Sequence, residues 1–417
     1  VKIAYGGMST ALGTFGRYRL LEELGTGGMA VVYRAVVDGP EGFSRQVVVK
    51  RVLPHLASNP KFVKMFLAEA RLSALLHHPA IVQVHDLGQV GDDYFLAMEF
   101  VEGQDLVSVL YTAAARGRPM PEGVACFIAL SIAEALAYAH AAKDADGRPL
   151  EIVHRDVSPS NIMVTAQGAV KLLDFGIARV ANHARVERTR TGTLKGKIGY
   201  MSPEQADAQK DIDARSDLFA LGVVLWECLT GQRLFRGEDD LEKLRLVREC
   251  NVWPPSSVRP ELDPEIDTVV MKLLARSRDA RYQTGDEVAA ALQPLVHRHE
   301  GSAAALREYL RALGPPRRPG QEDPANQGTT PAKRSASPSP GARGTLTGSS
   351  GELTAAERAI VAAGARRARV AAGALGLAGI AVAAVVLGLV GPRWVRKAPP
   401  VAATTPPPVT TTAPPRT

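Results

Sequence analysis

Short apolar runs rich in β-branched residues occur at 18–24, 31–37 and 47–53, separated by Gly-containing turns, and predict strands. A helical pattern at 61–76 interrupts them, and strand-like runs return at 81–87 and 94–101. Together they predict a small, mostly antiparallel sheet carrying one helix. Beyond Gly103 the apolar spacing lengthens to that of helices. Residues 123–143 are Ala-rich and apolar nearly all round, as a buried helix is, and 218–230 read the same way. Amphipathic runs follow at 263–275 and 285–296. Residues 1–17 are Gly-rich and aperiodic and read as a loose arm.

The pattern changes again near residue 299. Residues 299–369 are basic and Pro/Ser-rich, above all from 315 to 350, and read as a disordered linker. Residues 370–391 then run without a charged or polar side chain, and at 1.5 Å per residue a helix there reaches about 33 Å, enough to cross a hydrocarbon core. Arg366, Arg367 and Arg369 flank one end and Arg393, Trp394, Arg396 and Lys397 the other. A buried Ala-rich core helix is the alternative, but no domain surrounds this segment to bury it. Residues 392–417 are Pro/Thr-rich and read as a short tail.

Composition narrows the classes. The chain has 417 residues, 46% of them hydrophobic and 22% charged, which is globular and excludes collagen, coiled coil or wholesale disorder. Its net charge of +7 suggests nucleic acid, but the basic surplus lies in the tail beyond Arg298, so the folded part is not expected to bind it. Cys126, Cys228 and Cys250 have neither metal-ligand nor disulfide-framework spacing, which fits a reduced compartment. No secretory signal is read at the N-terminal end.

Candidate chemistry starts at Leu24-Gly25-Thr26-Gly27-Gly28-Met29-Ala30-Val31-Val32, between two predicted strands. Glycines at such a turn let main-chain N–H groups approach a phosphate, although a Gly-rich hairpin is often only a turn. No helix and Gly-Lys-Ser/Thr follow, so it is not a P-loop. Val47-Val48-Val49-Lys50 ends a strand on a lysine that either snorkels outward or reaches a buried anion. Glu69 shares an apolar helix face with Met65, Phe66 and Leu72, where a carboxylate needs a partner. The sharpest cluster is His154-Arg155-Asp156-Val157-Ser158-Pro159-Ser160-Asn161, followed by Asp174-Phe175-Gly176. Asp156 can orient a hydroxyl and accept its proton, and Asn161 and Asp174 are hard oxygen ligands suited to Mg²⁺.

In order and spacing these segments resemble the eukaryotic-type (Hanks-type) protein kinase family, and within it the bacterial Ser/Thr branch. The resemblance implies an α+β, bilobal kinase fold with a β-rich N-lobe at 18–101 and an α-rich C-lobe at 102–298. It implies ATP with Mg²⁺ or Mn²⁺ as cofactors and protein Ser/Thr hydroxyls as substrates. By position, Gly25, Gly27 and Gly28 would cover the phosphates and Val32 pack on adenine. Lys50 would pair the α- and β-phosphates, with Glu69 its helix partner. Asp156 would be the catalytic base, and Asn161 and Asp174 the metal ligands. Met98 would be the gatekeeper, with Glu99 and Val101 offering main-chain contacts to adenine. Glu204 would pair with Arg281, and Asp217 would brace the catalytic loop.

Three positions depart from the pattern. Ala30 replaces the third loop glycine, a small change. Ser158 stands where most Ser/Thr members carry a lysine that contacts the γ-phosphate, and Gly196-Lys197 stands where Gly-Thr is usual. The two later changes are reciprocal, and the expectation is that Lys197 is a catalytic residue supplying the cation Ser158 cannot. Unrelated drift, with Lys197 solvated, is the alternative.

Between Asp174 and Glu204 the chain is strongly basic and holds Thr189, Thr191 and Thr193, candidate autophosphorylation sites whose phosphate could order the segment on Arg155. A basic segment that is merely solvated is the alternative. The expected molecule is a single-pass protein of the cytoplasmic membrane, with its kinase domain in the cytoplasm and itself, in trans, as one substrate. A nucleotide-binding scaffold that transfers no phosphate is the rival, and a small-molecule kinase a third reading. The presence of Lys50, Glu69, Asp156, Asn161 and Asp174 together argues against the scaffold.

Overall fold

The structure, a computed structural model, describes residues 12–175 and 197–317. In chain order the N-terminal lobe runs β1 (Gly13–Phe15), β2 (Tyr18–Thr26), β3 (Ala30–Asp38), β4 (Ser44–Val52), α1 (Pro54–Ala57), α2 (Pro60–Ala74), β5 (Val84–Val90) and β6 (Asp93–Glu99). The C-terminal lobe follows with β7 (Gly103–Asp105), α3 (Leu106–Ala115), α4 (Glu122–His140), β8 (Ile162–Thr165), β9 (Val170–Leu172), α5 (Pro203–Ala206), α6 (Arg215–Thr230), α7 (Asp240–Glu249), α8 (Pro264–Leu273), α9 (Gly285–Arg298) and α10 (Ala303–Leu313).

The N-lobe sheet has the order β1-β2-β3-β4-β6-β5, and every pair in it is antiparallel. Alternation along the strands sends Ala35, Val47, Val49, Phe95 and Ala97 to one buried face. On the other face α2 packs Phe62, Phe66 and Ala70 against Val52, Leu96 and Met98. This helix starts where Asn59 Oδ1 accepts from the N–H groups of Lys61 and Phe62, with Pro60 at its first position.

In the C-lobe, α6 is buried on every side. Beside it α4 packs on α9 closely enough that a Cβ at Gly285 would come within 2.7 Å of Ala133 O and Ala137 N. Among the described residues α4 is the helix long and apolar enough to cross a membrane, and it is the buried core of this lobe. The expected span at 370–391 lies outside the described residues.

Three expectations change. Residues 12–17 are not a loose arm: β1 pairs with β2, and Phe15 is buried edge-on to Phe95, ring centroids 5.5 Å apart. The strand expected at 81–87 divides. Ile81 and Val82 bridge to Leu172 of β9 (Val82 N–H to Leu172 O, 3.0 Å), while β5 starts at Val84. The linker expected from 299 begins later, because α10 buries Leu306, Tyr309, Leu310 and Leu313 at helical spacing. Arg118 donates to Ala312 O at 2.7 Å, and the Arg317 N–H donates to Thr112 Oγ1 at 2.8 Å, which ties the end of this helix to α3.

Candidate active site

Strand register assembles one wall. Gly25 of β2 lies opposite Val32 of β3, Val32 opposite Lys50 of β4, and Lys50 opposite Leu96 of β6. A single row across the sheet therefore joins the glycine turn, Val32 and Lys50. The turn itself closes with the Gly27 N–H donating to Ala30 O at 2.9 Å, and Gly27 and Gly28 are exposed. Met98 ends the wall, buried between Val84 and Val48 in the strand pairing. A cavity of about 20 Å³ lies behind it, lined by Ser73, Leu96 and Phe175 among others. Where the lobes join, Val101 is buried, and the Glu99 carboxylate accepts from Lys171 Nζ (2.8 Å) and the Gln83 N–H (3.2 Å). Lys171 went unnoticed in the sequence. Its only signal was a cation two residues before the Leu173-Asp174 pair.

The opposite wall is a loop braced from below. Asp217, fully buried at the start of α6, accepts the N–H groups of His154 and Arg155 at 2.7 Å each, and His140 Nε2 lies 2.8 Å from it. The brace holds a strained backbone, since Arg155 and Asp174 both have positive φ (61° and 37°). Burial lowers the pKa of His154 and keeps it neutral. Its Nε2 donates to Leu173 O at 2.8 Å, its Nδ1 accepts the Asp156 N–H, and its ring packs on Phe175 at 4.7 Å. One imidazole thus links the two halves of the site.

On this frame, Asn161 Nδ2 donates to the Asp156 main-chain oxygen (2.8 Å) and to its Oδ2 (3.0 Å). Lys197 Nζ lies 2.6 Å from Asp156 Oδ2 and 3.4 Å from Asn161 Oδ1. Lys50 Nζ pairs with Asp174 Oδ2 at 2.9 Å. Among the described residues no ion pair joins Lys50 to Glu69. Burial pushes the Glu69 carboxyl up to about 8, against the pull of Arg155 and Lys50. The expected Lys50–Glu69 partnership is therefore absent from this arrangement, because Asp174 holds the lysine and leaves Glu69 protonated near neutral pH.

Beyond the loop, Arg281 forks onto Glu204 with Nη1–Oε1 at 2.8 Å and Nη2–Oε2 at 2.9 Å, both side chains buried. Burial alone would raise Glu204, but the bonds from Arg281 and Ser216 outweigh it and hold the carboxyl below its ordinary range. A cavity of about 550 Å³ lies beside this pair and is lined by none of the catalytic-loop groups. Thr189, Thr191 and Thr193 lie outside the described residues.

Among the described residues no three His, Cys, Asp or Glu side chains cluster to hold a metal by themselves. Asn161 and Asp174 stand at the paired ends of β8 and β9, where the Leu173 N–H donates to Asn161 O at 2.8 Å, and both supply hard oxygen donors, a set that fits a divalent ion sharing its remaining positions with phosphate oxygens. The arrangement can therefore orient a hydroxyl at Asp156 while cations and N–H donors face an anionic group.

The protein kinase domain model matches residues 18–292. The chain is 41% identical over 304 residues to the tyrosine-protein kinase MasK of Myxococcus xanthus, covering 73% of this chain and 47% of that one. It is 39% identical over 292 residues to the serine/threonine-protein kinase PknB of Mycolicibacterium smegmatis, covering 69% and 44% respectively. The chain thus spans less than half the length of these curated relatives. Its structure resembles the PknI kinase domain of Mycobacterium tuberculosis, with a TM-score of 0.51 and 28% identity over 69% of this chain and all of that one. With the catalytic-loop geometry and the match to most of the described residues in hand, the chain belongs to the protein kinase family.

Proposed function

We propose that the chain is a membrane-anchored serine/threonine protein kinase that moves the γ-phosphoryl group of ATP to a protein hydroxyl. The observation that carries the reading is the convergence of Asp156, Asn161 and Lys197 on one point, together with the Lys50–Asp174 pair. In the reaction the hydroxyl oxygen bonds to the γ-phosphorus and the bond to the β-phosphate oxygen breaks. ADP leaves, and the hydroxyl proton passes to Asp156. Asn161 fixes that carboxylate through Nδ2 and turns Oδ1 toward the cleft. A divalent ion held by Asn161 and Asp174 neutralises phosphate charge when bound. Lys50 then exchanges Asp174 for the phosphates. The buried Glu204–Arg281 pair anchors the segment around Ser202 against which a polypeptide substrate would lie, which favours protein over small-molecule substrates.

Serine/threonine preference rests on the residues after Asp156, which lack the Ala-Ala-Arg of tyrosine kinases. The relative named as a tyrosine kinase supports a second reading, transfer to tyrosine. Anchoring rests on 370–391 and self-activation on Thr189 and Thr191 in their basic surroundings. The test is phosphosite mapping of the full chain after incubation with Mg·ATP, beside an Asp156→Asn control. Phosphothreonine at 189 or 191 in the unmodified chain alone is expected. Phosphotyrosine alone would transfer the reading to tyrosine, and nucleotide binding without phosphate transfer would favour the scaffold.

A further inference from the structure

We infer that Lys197 is a catalytic residue that contacts the transferring γ-phosphoryl group from the substrate side of the cleft, a role for which the loop after Asp156 supplies no cation. The inference rests on the kinase reading above. Between Asp156 and Lys171 the sequence contains no lysine or arginine. Two residues after Asp156, Ser158 is 1% exposed, and its hydroxyl sits 3.1 Å from Ser160 Oγ. A negative phosphoryl group arriving beside Asp156 needs a positive charge there, since two anions at contact distance repel.

Lys197 stands where that charge is required. Its Nζ is 2.6 Å from Asp156 Oδ2, on the carboxylate that would take the hydroxyl proton, and 3.4 Å from the amide oxygen that would face the metal. The group in transit must pass beside those two atoms. An ammonium carries three N–H donors, and two are directed at these oxygens, which leaves a third for a phosphoryl oxygen. The side chain is one-third exposed, so a ligand can reach it.

Its backbone is equally well placed. Lys197 O accepts the Tyr200 N–H at 3.1 Å, Ile198 and Tyr200 are buried, and Tyr200 Oη donates to Glu227 at 2.6 Å. The lysine is thus the first residue of an anchored turn, and its reach into the cleft is set by the C-lobe core. A loop that assigns a hydroxyl to 158 and a lysine to 197 keeps one charge and one hydroxyl around Asp156 with their walls exchanged.

The test uses the full chain and measures phosphate transfer to an Asp156→Asn copy, together with affinities for ADP and for β,γ-imido-ATP. Lys197→Met is expected to lower kcat about 10²–10³-fold, in the range seen when one donor to a developing anion is removed. It should erase any preference for the imido-ATP over ADP while leaving ADP affinity unchanged, which also shows that the variant folds. The exchanged pair Ser158→Lys with Lys197→Thr should recover at least tenfold over Lys197→Thr alone. Turnover by Lys197→Met within threefold of the parent, or an exchanged pair no better than the single variant, would overturn the assignment. A parent chain that binds nucleotide without transferring phosphate would sink the kinase reading instead. The imido-ATP to ADP ratio would then decide the Lys197 contact alone.

Discussion

Glu204 and Glu69 are both carboxyls withdrawn from water, and the two lobes treat them in opposite ways. In the C-lobe Glu204 receives a forked arginine and a serine hydroxyl, and it stays ionised although buried. In the N-lobe Glu69 has two cations nearby but no ion pair with Lys50, and burial leaves it protonated. The contrast extends to the whole site. The C-lobe half, from Asp217 through His154 to Asp156, is held by short bonds to buried groups. The N-lobe half has its lysine in register but its helix glutamate unengaged. One half is built in advance, and in the other Asp174 holds the lysine in place of the helix glutamate.

The strongest way to break the comparison is to remove the cation from the built half. Arg281→Met leaves Glu204 buried without its partner, and the expected loss is about 3–5 kcal/mol of unfolding free energy. Urea denaturation measures it. A loss under about 1 kcal/mol would mean that the pair is no more structural than a surface bridge.

The next test asks how far the fixed frame extends. Leu306 of α10 is fully buried against the C-lobe core, so Leu306→Ala should cost about 2–4 kcal/mol in the same assay. A negligible loss would return residues 303–313 to the linker. That boundary was the least legible part of the fold, although its signal was present. Leu306, Tyr309, Leu310 and Leu313 have helical spacing, but the basic, Pro-rich stretch beyond them masks it in any composition window. The strand β1 had no such signal, because three residues have no period and Phe15 owes its burial to Phe95, eighty positions away. By contrast, α4 and α6 were plain from long apolar runs broken by few polar residues. The loop residues Asp156, Asn161 and Asp174 were legible because side-chain chemistry and close spacing coincide there. The partner of Lys50 was not, since the sequence offers it two carboxylates and only the placement of α2 chooses between them.

A smaller effect is expected at the brace. Asp217→Asn keeps one acceptor for the N–H groups of His154 and Arg155 but loses the charge that strengthens both bonds and attracts His140. The expected cost is about 1–3 kcal/mol in stability. Because Arg155 is held at positive φ by the same carboxylate, kcat should fall with KM for ATP nearly unchanged. If kcat survives the substitution, the catalytic loop keeps its shape without the brace, and the built half owes its order to packing alone.

The last test is the most informative about the unfinished half. A carboxyl whose pKa is raised by folding, from 4.5 to about 8 at Glu69, binds a proton in the folded chain that the unfolded chain has already lost. Stability from this group is therefore whole below pH 4.5 and falls as pH rises toward 8, by at most about 1.4 kcal/mol per pH unit. Glu227, also raised to about 8 by burial, adds a slope of the same sign, so the wild-type curve alone cannot isolate Glu69. The difference between wild type and Glu69→Gln does: the variant should match the parent near pH 5 and exceed it at pH 8. Calorimetric melts across that range measure the difference. A variant that is less stable than the parent at pH 8 would show Glu69 ionised and paired in the resting protein. The N-lobe half would then be as complete as the C-lobe half, and the contrast between the two glutamates would disappear.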